Sequence, residues 1–131
     1  MFVDASAMIA IIADESDGTA LAQRLAIATR RYTSAIALYE AILGIARIRS
    51  GTIAAVSALL DDFIRRLQIE ITPITAKTGR AALDAFDRFG RGRHPARLNM
   101  GDCFAYACAR ELGVPLLFKG DDFSQTDIAT A

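Results

Sequence analysis

One histidine, His94, two cysteines, three prolines and no tryptophan occur in 131 residues. A single imidazole leaves little for paired-histidine acid/base catalysis or for a Ser–His–Asp triad, and two cysteines with it leave little for a zinc centre. Cys103 and Cys108 lie five positions apart on one predicted helix. The helical rise puts their Cα atoms beyond the roughly 7 Å that a disulfide spans, so both are expected as small buried thiols. Charge of one sign is also missing: Lys plus Arg is 15 and Asp plus Glu is 15, which excludes a uniformly basic binder of duplex DNA. No apolar run approaches the roughly 18 residues of a membrane span. Met1-Phe2-Val3-Asp4 has no basic region, and the apolar stretch Ala5 to Ala13 ends on Asp14-Glu15. No signal peptide is expected, and the location expected is cytoplasmic.

What is present is a composition 53% hydrophobic and 23% charged, at a length suited to one domain over residues 1–131. Strand-like and helix-like pieces alternate. Met1 to Val3 starts a strand, Ala7 to Ala13 and Thr19 to Ala28 read as helices, and Arg31 to Ser34 favours extended structure with Ser34 placed to cap the next helix. Ala35 to Ile48 and Ile53 to Leu67 are helical on either side of Gly51, and Ile69 to Thr72 alternates as a strand that stops at Pro73. Thr75 to Phe89 reads as a helix with Leu83, Phe86 and Phe89 on its inner face. A loop, Arg91 to Arg97, leads to a helix over Met100 to Leu112 ended by Gly113, then a buried-type strand, Val114 to Phe118. The tail, Ile128 to Ala131, is expected to add one more short strand. Strands separated by helices imply an α/β fold with a mostly parallel central sheet covered on both faces.

The chemistry must therefore run mainly on carboxylates, and eleven of the fifteen are Asp. Ligands of open parallel sheets bind at the carboxyl ends of the strands. Asp4 follows the first predicted strand and Asp121-Asp122 follow Val114 to Phe118, so these acids share one edge. Asp102 sits in the first turn of its helix. Each has a plainer reading alone: Asp4 as a helix cap, with Ser6 competing for that role, Asp102 as an acid complementing the helix dipole, Asp121-Asp122 as a turn. Glu40 is the one charge between Ser34 and Ala46, on a helix apolar enough to be buried nearly all round. A carboxylate there needs a partner, either an Arg or a cation. Several converging carboxylates repel and protonate unless a hard cation such as Mg²⁺ joins them, and that combination points to metal-assisted phosphate chemistry.

Val3-Asp4-Ala5-Ser6, Glu40 in its apolar helix, Leu98-Asn99-Met100-Gly101-Asp102-Cys103 and Leu116-Leu117-Phe118-Lys119-Gly120-Asp121-Asp122-Phe123 with Thr126-Asp127-Ile128 together resemble a PIN-domain ribonuclease. The nearer resemblance is to VapC-type toxins of VapBC toxin–antitoxin systems, and it spans essentially the whole chain. It implies a three-layer α/β/α PIN-like fold and a Mg²⁺- or Mn²⁺-dependent endoribonuclease. The acids matching the metal site are Asp4, Glu40 and Asp102, with Asp122 as the fourth and Asp121 as its alternative; Ser6 and Asn99 match supporting positions. The resemblance also implies a homodimer and a VapB-type antitoxin whose tail occupies the active-site groove; the apolar helices near Glu40 and over Ile53 to Leu67 are the expected dimer face.

Arg88, Arg91, Arg93 and Arg97 form, with His94, a basic stretch beside this edge. They are candidate RNA contacts together with Lys119, since the guanidinium fork suits phosphate; the plainer reading is a solvated loop. His94 next to Pro95 reads as a loop residue. Two other activities compete with the toxin reading. A nuclease of RNA maturation has the same site, but the short chain without added domains favours the toxin. A phospho-acceptor receiver domain requires an Asp after a middle strand, where this chain has Thr72-Pro73, and leaves Glu40 unexplained. A PIN scaffold without catalysis is disfavoured because all four acidic positions are filled.

Overall fold

The computed structural model describes residues 1–131. Strand β1 (Phe2–Val3) leads into helices α1 (Ala5–Ile12) and α2 (Gly18–Ile27), and β2 (Arg31–Ser34) leads into α3 (Ala35–Arg49) and α4 (Ile53–Arg66). Then come β3 (Ile69–Thr72), α5 (Ala76–Phe89), α6 (Met100–Leu112) and β4 (Leu116–Leu117), with a 3-10 turn at Phe123–Gln125. The four strands form one sheet in the order β3-β2-β1-β4, and every pairing is parallel. The chain moves outward from β1 to β3 and then returns to the other side of β1. The switch point between β1 and β4 is where such sheets open a crevice at the strands' carboxyl ends.

Side chains alternate across a strand, and the core divides accordingly. Phe2, Tyr32 and Leu116 pack with α5 and α6 on one face. Val3, Ile69 and Leu117 pack with α1 to α4 on the other. The three-layer α/β/α arrangement follows directly. Ser34 ends β2 and caps α3, its Oγ accepting the Ala37 N–H at 3.2 Å. No helix is long and apolar enough to cross a membrane.

Four expectations need correction. The strand expected over Val114 to Phe118 contracts to Leu116–Leu117. Pro115 has no N–H to pair, the Val114 N–H turns back to the Ala109 carbonyl, and the Lys119 N–H bonds Ser6. The tail contributes a single parallel bridge, Leu116 with Thr130, rather than a strand. Helix α5 buries Thr78, Ala82, Ala85 and Phe89, while Leu83 is 69% and Phe86 37% exposed. Small residues on the inner stripe bring α5 close to α6, and Leu83 and Phe86 are left to rim an apolar groove with Met100. Nor is α3 enclosed all round: it buries a stripe of Ala37, Ala41 and Ile45, whereas Tyr39, Leu43 and Ile48 are exposed. Glu40 is partly buried.

Candidate active site

Asp4 is buried at the end of β1, where its N–H donates to the Leu117 carbonyl of β4 at 3.0 Å. It is also the N-cap of α1: its Oδ2 accepts the Ser6 N–H at 2.9 Å and the Ser6 hydroxyl at 2.5 Å. Cap and site residue are therefore one residue, and Ser6 is its partner rather than its competitor. Burial raises the Asp4 carboxyl above its ordinary range; the Ser6 bonds oppose this, and the Asp122 charge adds to it.

Asp102 occupies the third position of α6 in a reciprocal capping box. The Asn99 side chain accepts the Asp102 N–H at 3.0 Å, and Asp102 Oδ2 accepts the Asn99 N–H at 2.8 Å. Burial pushes the carboxyl up to about 6; the Asn99 bond works against this, the Asp4 and Asp122 charges add to it, and Arg91 lowers it slightly. Beside it the Glu40 carboxylate lies against Gly101, where a Cβ would fall inside it. Burial, then the Asp4 and Asp102 charges, push Glu40 up to about 7, and no cation or donor offsets them. The Arg partner considered from the sequence does not exist: none of the eight ion pairs includes Glu40.

Of the two acids after β4, Asp122 is the one whose charge reaches both Asp4 and Asp102. Asp121 is exposed, and its carbonyl accepts the Ser124 hydroxyl at 2.6 Å. Phe123, buried against Phe118 with ring centroids 5.0 Å apart, anchors this loop. Carboxylates from the end of β1, the middle of α3, the start of α6 and the loop after β4 thus share one electrostatic field.

The basic candidates divide. Arg88 donates to Asp127 at 2.7 Å and to the Tyr106 hydroxyl at 3.3 Å. Arg93 pairs with Asp87 at 2.7 Å, and Lys119 with Glu15 at 2.7 Å. Arg91 and Arg97 are exposed and join no ion pair. His94 stays in its loop, its Nδ1 accepting the Ala96 N–H at 3.1 Å and its ring meeting Phe89 edge-on. Burial holds the Cys103 thiol at about 11, so no thiolate nucleophile stands beside Asp102. Glu15 is a site-linked residue that sequence reasoning missed, as is the role of Gly101, which the sequence shows only as part of its motif; each acts through a segment distant along the chain.

The donor set consists of carboxylate oxygens, the chemistry of a hard divalent cation. As the side chains stand, no three of these acids converge closely enough to hold one ion together. Ser6 holds Oδ2 of Asp4 and Asn99 holds Oδ2 of Asp102, so those two carboxylates are turned toward their own helices. Mutual repulsion without a counter-charge favours the same spread. The residues fit a divalent ion in type and electrostatics, with closure of the carboxylates still required.

The chain matches the PIN domain family model over residues 1–129. It is 40% identical to a VapC ribonuclease of Rhizobium meliloti over 139 residues, covering 97% of this chain and 98% of that protein. It is 42% identical over 132 residues to ribonuclease VapC28 of Mycobacterium tuberculosis, covering 100% and 97%. Among solved structures it is similar to Mycobacterium tuberculosis VapC20, a sarcin-ricin loop cleaving toxin, with a TM-score of 0.74 at 22% identity over 99% of this chain and 97% of that one. With the fold, the family model and full-length relatives in agreement, the chain belongs to the PIN-domain family, among the VapC-type ribonucleases.

Proposed function

We propose that this protein is a divalent-metal-dependent endoribonuclease, the toxin of a type II toxin–antitoxin pair, in which Asp4, Glu40, Asp102 and Asp122 hold Mg²⁺ or Mn²⁺. The observation that carries the reading is the mutual electrostatic reach of these acids, brought from four separate elements, with Glu40 pushed up to about 7 and Asp102 to about 6 and only a slight cationic offset. Such a cluster is costly unless a cation joins it. A bound divalent ion supplies Lewis-acid stabilisation of charge on phosphoryl oxygens and activation of water.

The chain's own residues do the rest. Ser6 holds Oδ2 of Asp4 and Asn99 holds Oδ2 of Asp102, so each carboxylate is anchored at one oxygen and has to turn the other toward an ion. Gly101 leaves room for Glu40. Arg91, unpaired and near enough for its charge to lower the Asp102 carboxyl, is available to a substrate phosphate. The name VapC carried by full-length relatives supports a VapB-type antitoxin as partner. The homodimer belongs to the same reading, supported by the apolar side chains Tyr39, Leu43, Ile53 and Leu59 left exposed on α3 and α4.

The test is cleavage of RNA by purified protein in Mg²⁺ or Mn²⁺ and in excess chelator, with Asp4→Asn and Asp102→Asn alongside. Cleavage is expected with metal alone and lost in both variants. Equal cleavage in chelator, or by both variants, overturns the mechanism.

A further inference from the structure

Lys119 lies two residues beyond the end of β4 and stands three positions before Asp122. Its backbone N–H donates to the Ser6 hydroxyl at 3.0 Å, and that hydroxyl in turn donates to Asp4 at 2.5 Å. Its ammonium reaches away from the acids, to Glu15 at 2.7 Å and Asp17 at 3.8 Å in the turn between α1 and α2. That turn is tight. The Glu15 N–H bonds the Ala10 carbonyl at 3.0 Å, and Gly18 packs so closely on the same carbonyl that a Cβ there has no room. Glu15 is therefore presented from a rigid hairpin. Both partners of the pair are about two-thirds buried, at 32% and 30% side-chain exposure, unlike the exposed Arg30–Glu70 pair at 72% and 64%. The loop beyond Lys119 is otherwise held by the buried Phe123 and, at its far end, by Asp127 bonded to Tyr106 and Arg88.

We propose that Lys119 is a positioning residue of the carboxylate site: its ion pair with Glu15 anchors the near end of the loop bearing Asp122, and its backbone N–H, through Ser6, fixes Asp4. The inference rests on the proposed metal site. One side chain and one N–H of the same residue thereby set the spacing of two acids from different ends of the chain. Partners of this kind typically change metal affinity about 10- to 100-fold when removed.

The test uses the full chain and Mn²⁺ as probe, with calorimetric titration and amide hydrogen exchange over Gly120 to Ser124 in the metal-free protein. Lys119→Met and Glu15→Gln are each expected to weaken Mn²⁺ about tenfold and to speed exchange in that loop while the core amides of β1 stay protected. The exchanged pair Glu15→Lys with Lys119→Glu is expected to recover most of both; the repulsion from Asp17, whose side chain is 58% exposed, is screened by solvent. Glu70→Gln, which breaks a remote pair, is expected to change neither. Wild-type Mn²⁺ affinity in Lys119→Met and Glu15→Gln overturns the inference alone. So does failure of the exchanged pair to recover, because the lysine then acts by its charge and not by its tether. A wild-type chain that binds no Mn²⁺ overturns the metal reading and this inference with it.

Discussion

The Glu40 carboxylate lies against the Cα of Gly101, one residue before Asp102, with no space between them for a methyl group. Gly101 has no left-handed backbone to accommodate, so its role is spatial. Alanine at this position gains about 1 kcal/mol of helix propensity, set against the displacement of a partly buried carboxylate. Gly101→Ala is therefore expected to stay folded, with a melting temperature close to wild type. Its Mn²⁺ affinity and RNA cleavage are expected to fall about tenfold or more, as when a neighbour of a metal ligand is disturbed. Titration calorimetry checks this, and unchanged affinity removes Glu40 from the ligand set.

The pair Asp121 and Asp122 offers a second, sharper comparison, because neighbours in one loop differ in their electrostatic reach to the site. Both are exposed, but the charge of Asp122 reaches Asp4 and Asp102, whereas that of Asp121 acts on neither. Asp122→Asn is expected to lower kcat/KM for RNA on the order of 100-fold, and Asp121→Asn by less than about threefold. The opposite order moves the fourth acid by one residue.

Much of this architecture was legible because strands and caps leave local marks. Phe2-Val3 and Leu116-Leu117 divide between opposite core faces as a period of two requires, and Ser34 caps α3 where expected. Asp4 and Asp102 stood out by position, one at a strand end and one in a first helical turn. Leu83 and Phe86 misled because hydrophobicity ranks Leu and Phe above Ala, whereas close packing of α5 on α6 selects Ala82 and Ala85. Glu15 left no local mark, since it meets Lys119 across 104 positions, and Gly101 stands inside the Asn99 to Cys103 motif but meets Glu40 from a separate helix. Only the folded chain supplies those distances.

The carboxylate cluster also fixes a pH dependence. A carboxyl whose pKa is higher in the folded chain than in the unfolded one binds more protons when folded. Its contribution is full in acid and is lost as the pH climbs from the unfolded pKa through the folded one. For Glu40 that window runs from 4.5 to about 7, and for Asp102 from 3.8 to about 6. After screening at the partly exposed Glu40, the effect is on the order of 1 kcal/mol, or roughly 3–5 °C in Tm. The metal-free protein is expected to lose that much relative to Glu40→Gln between pH 4.5 and pH 7.5. Added Mg²⁺ is expected to raise Tm more at pH 7.5 than at pH 5. Melting curves of both proteins across this range check the sign; a wild type that gains on Glu40→Gln as pH rises contradicts it.

Among the arginines, charge alone does not rank the candidates, but pairing does. Arg88 and Arg93 are held by Asp127 and Asp87, so an RNA phosphate must compete with a carboxylate already in place. Arg91 is exposed, unpaired, and close enough to lower the Asp102 carboxyl, which puts its guanidinium at the edge of the acid cluster. A phosphate seated there gains the full charge-assisted contact. Binding of single-stranded RNA can be followed by fluorescence anisotropy in chelator, where cleavage is prevented. Arg91→Ala is expected to weaken binding several-fold and to reduce the slope of log K against log salt by about 0.7, the value for one contact on a single strand. Arg93→Ala is expected to leave the slope unchanged, since its loss also frees Asp87 and removes no unpaired cation. Equal slopes for Arg91→Ala and wild type place the phosphate contact elsewhere, with Arg97 the next unpaired guanidinium in the same loop.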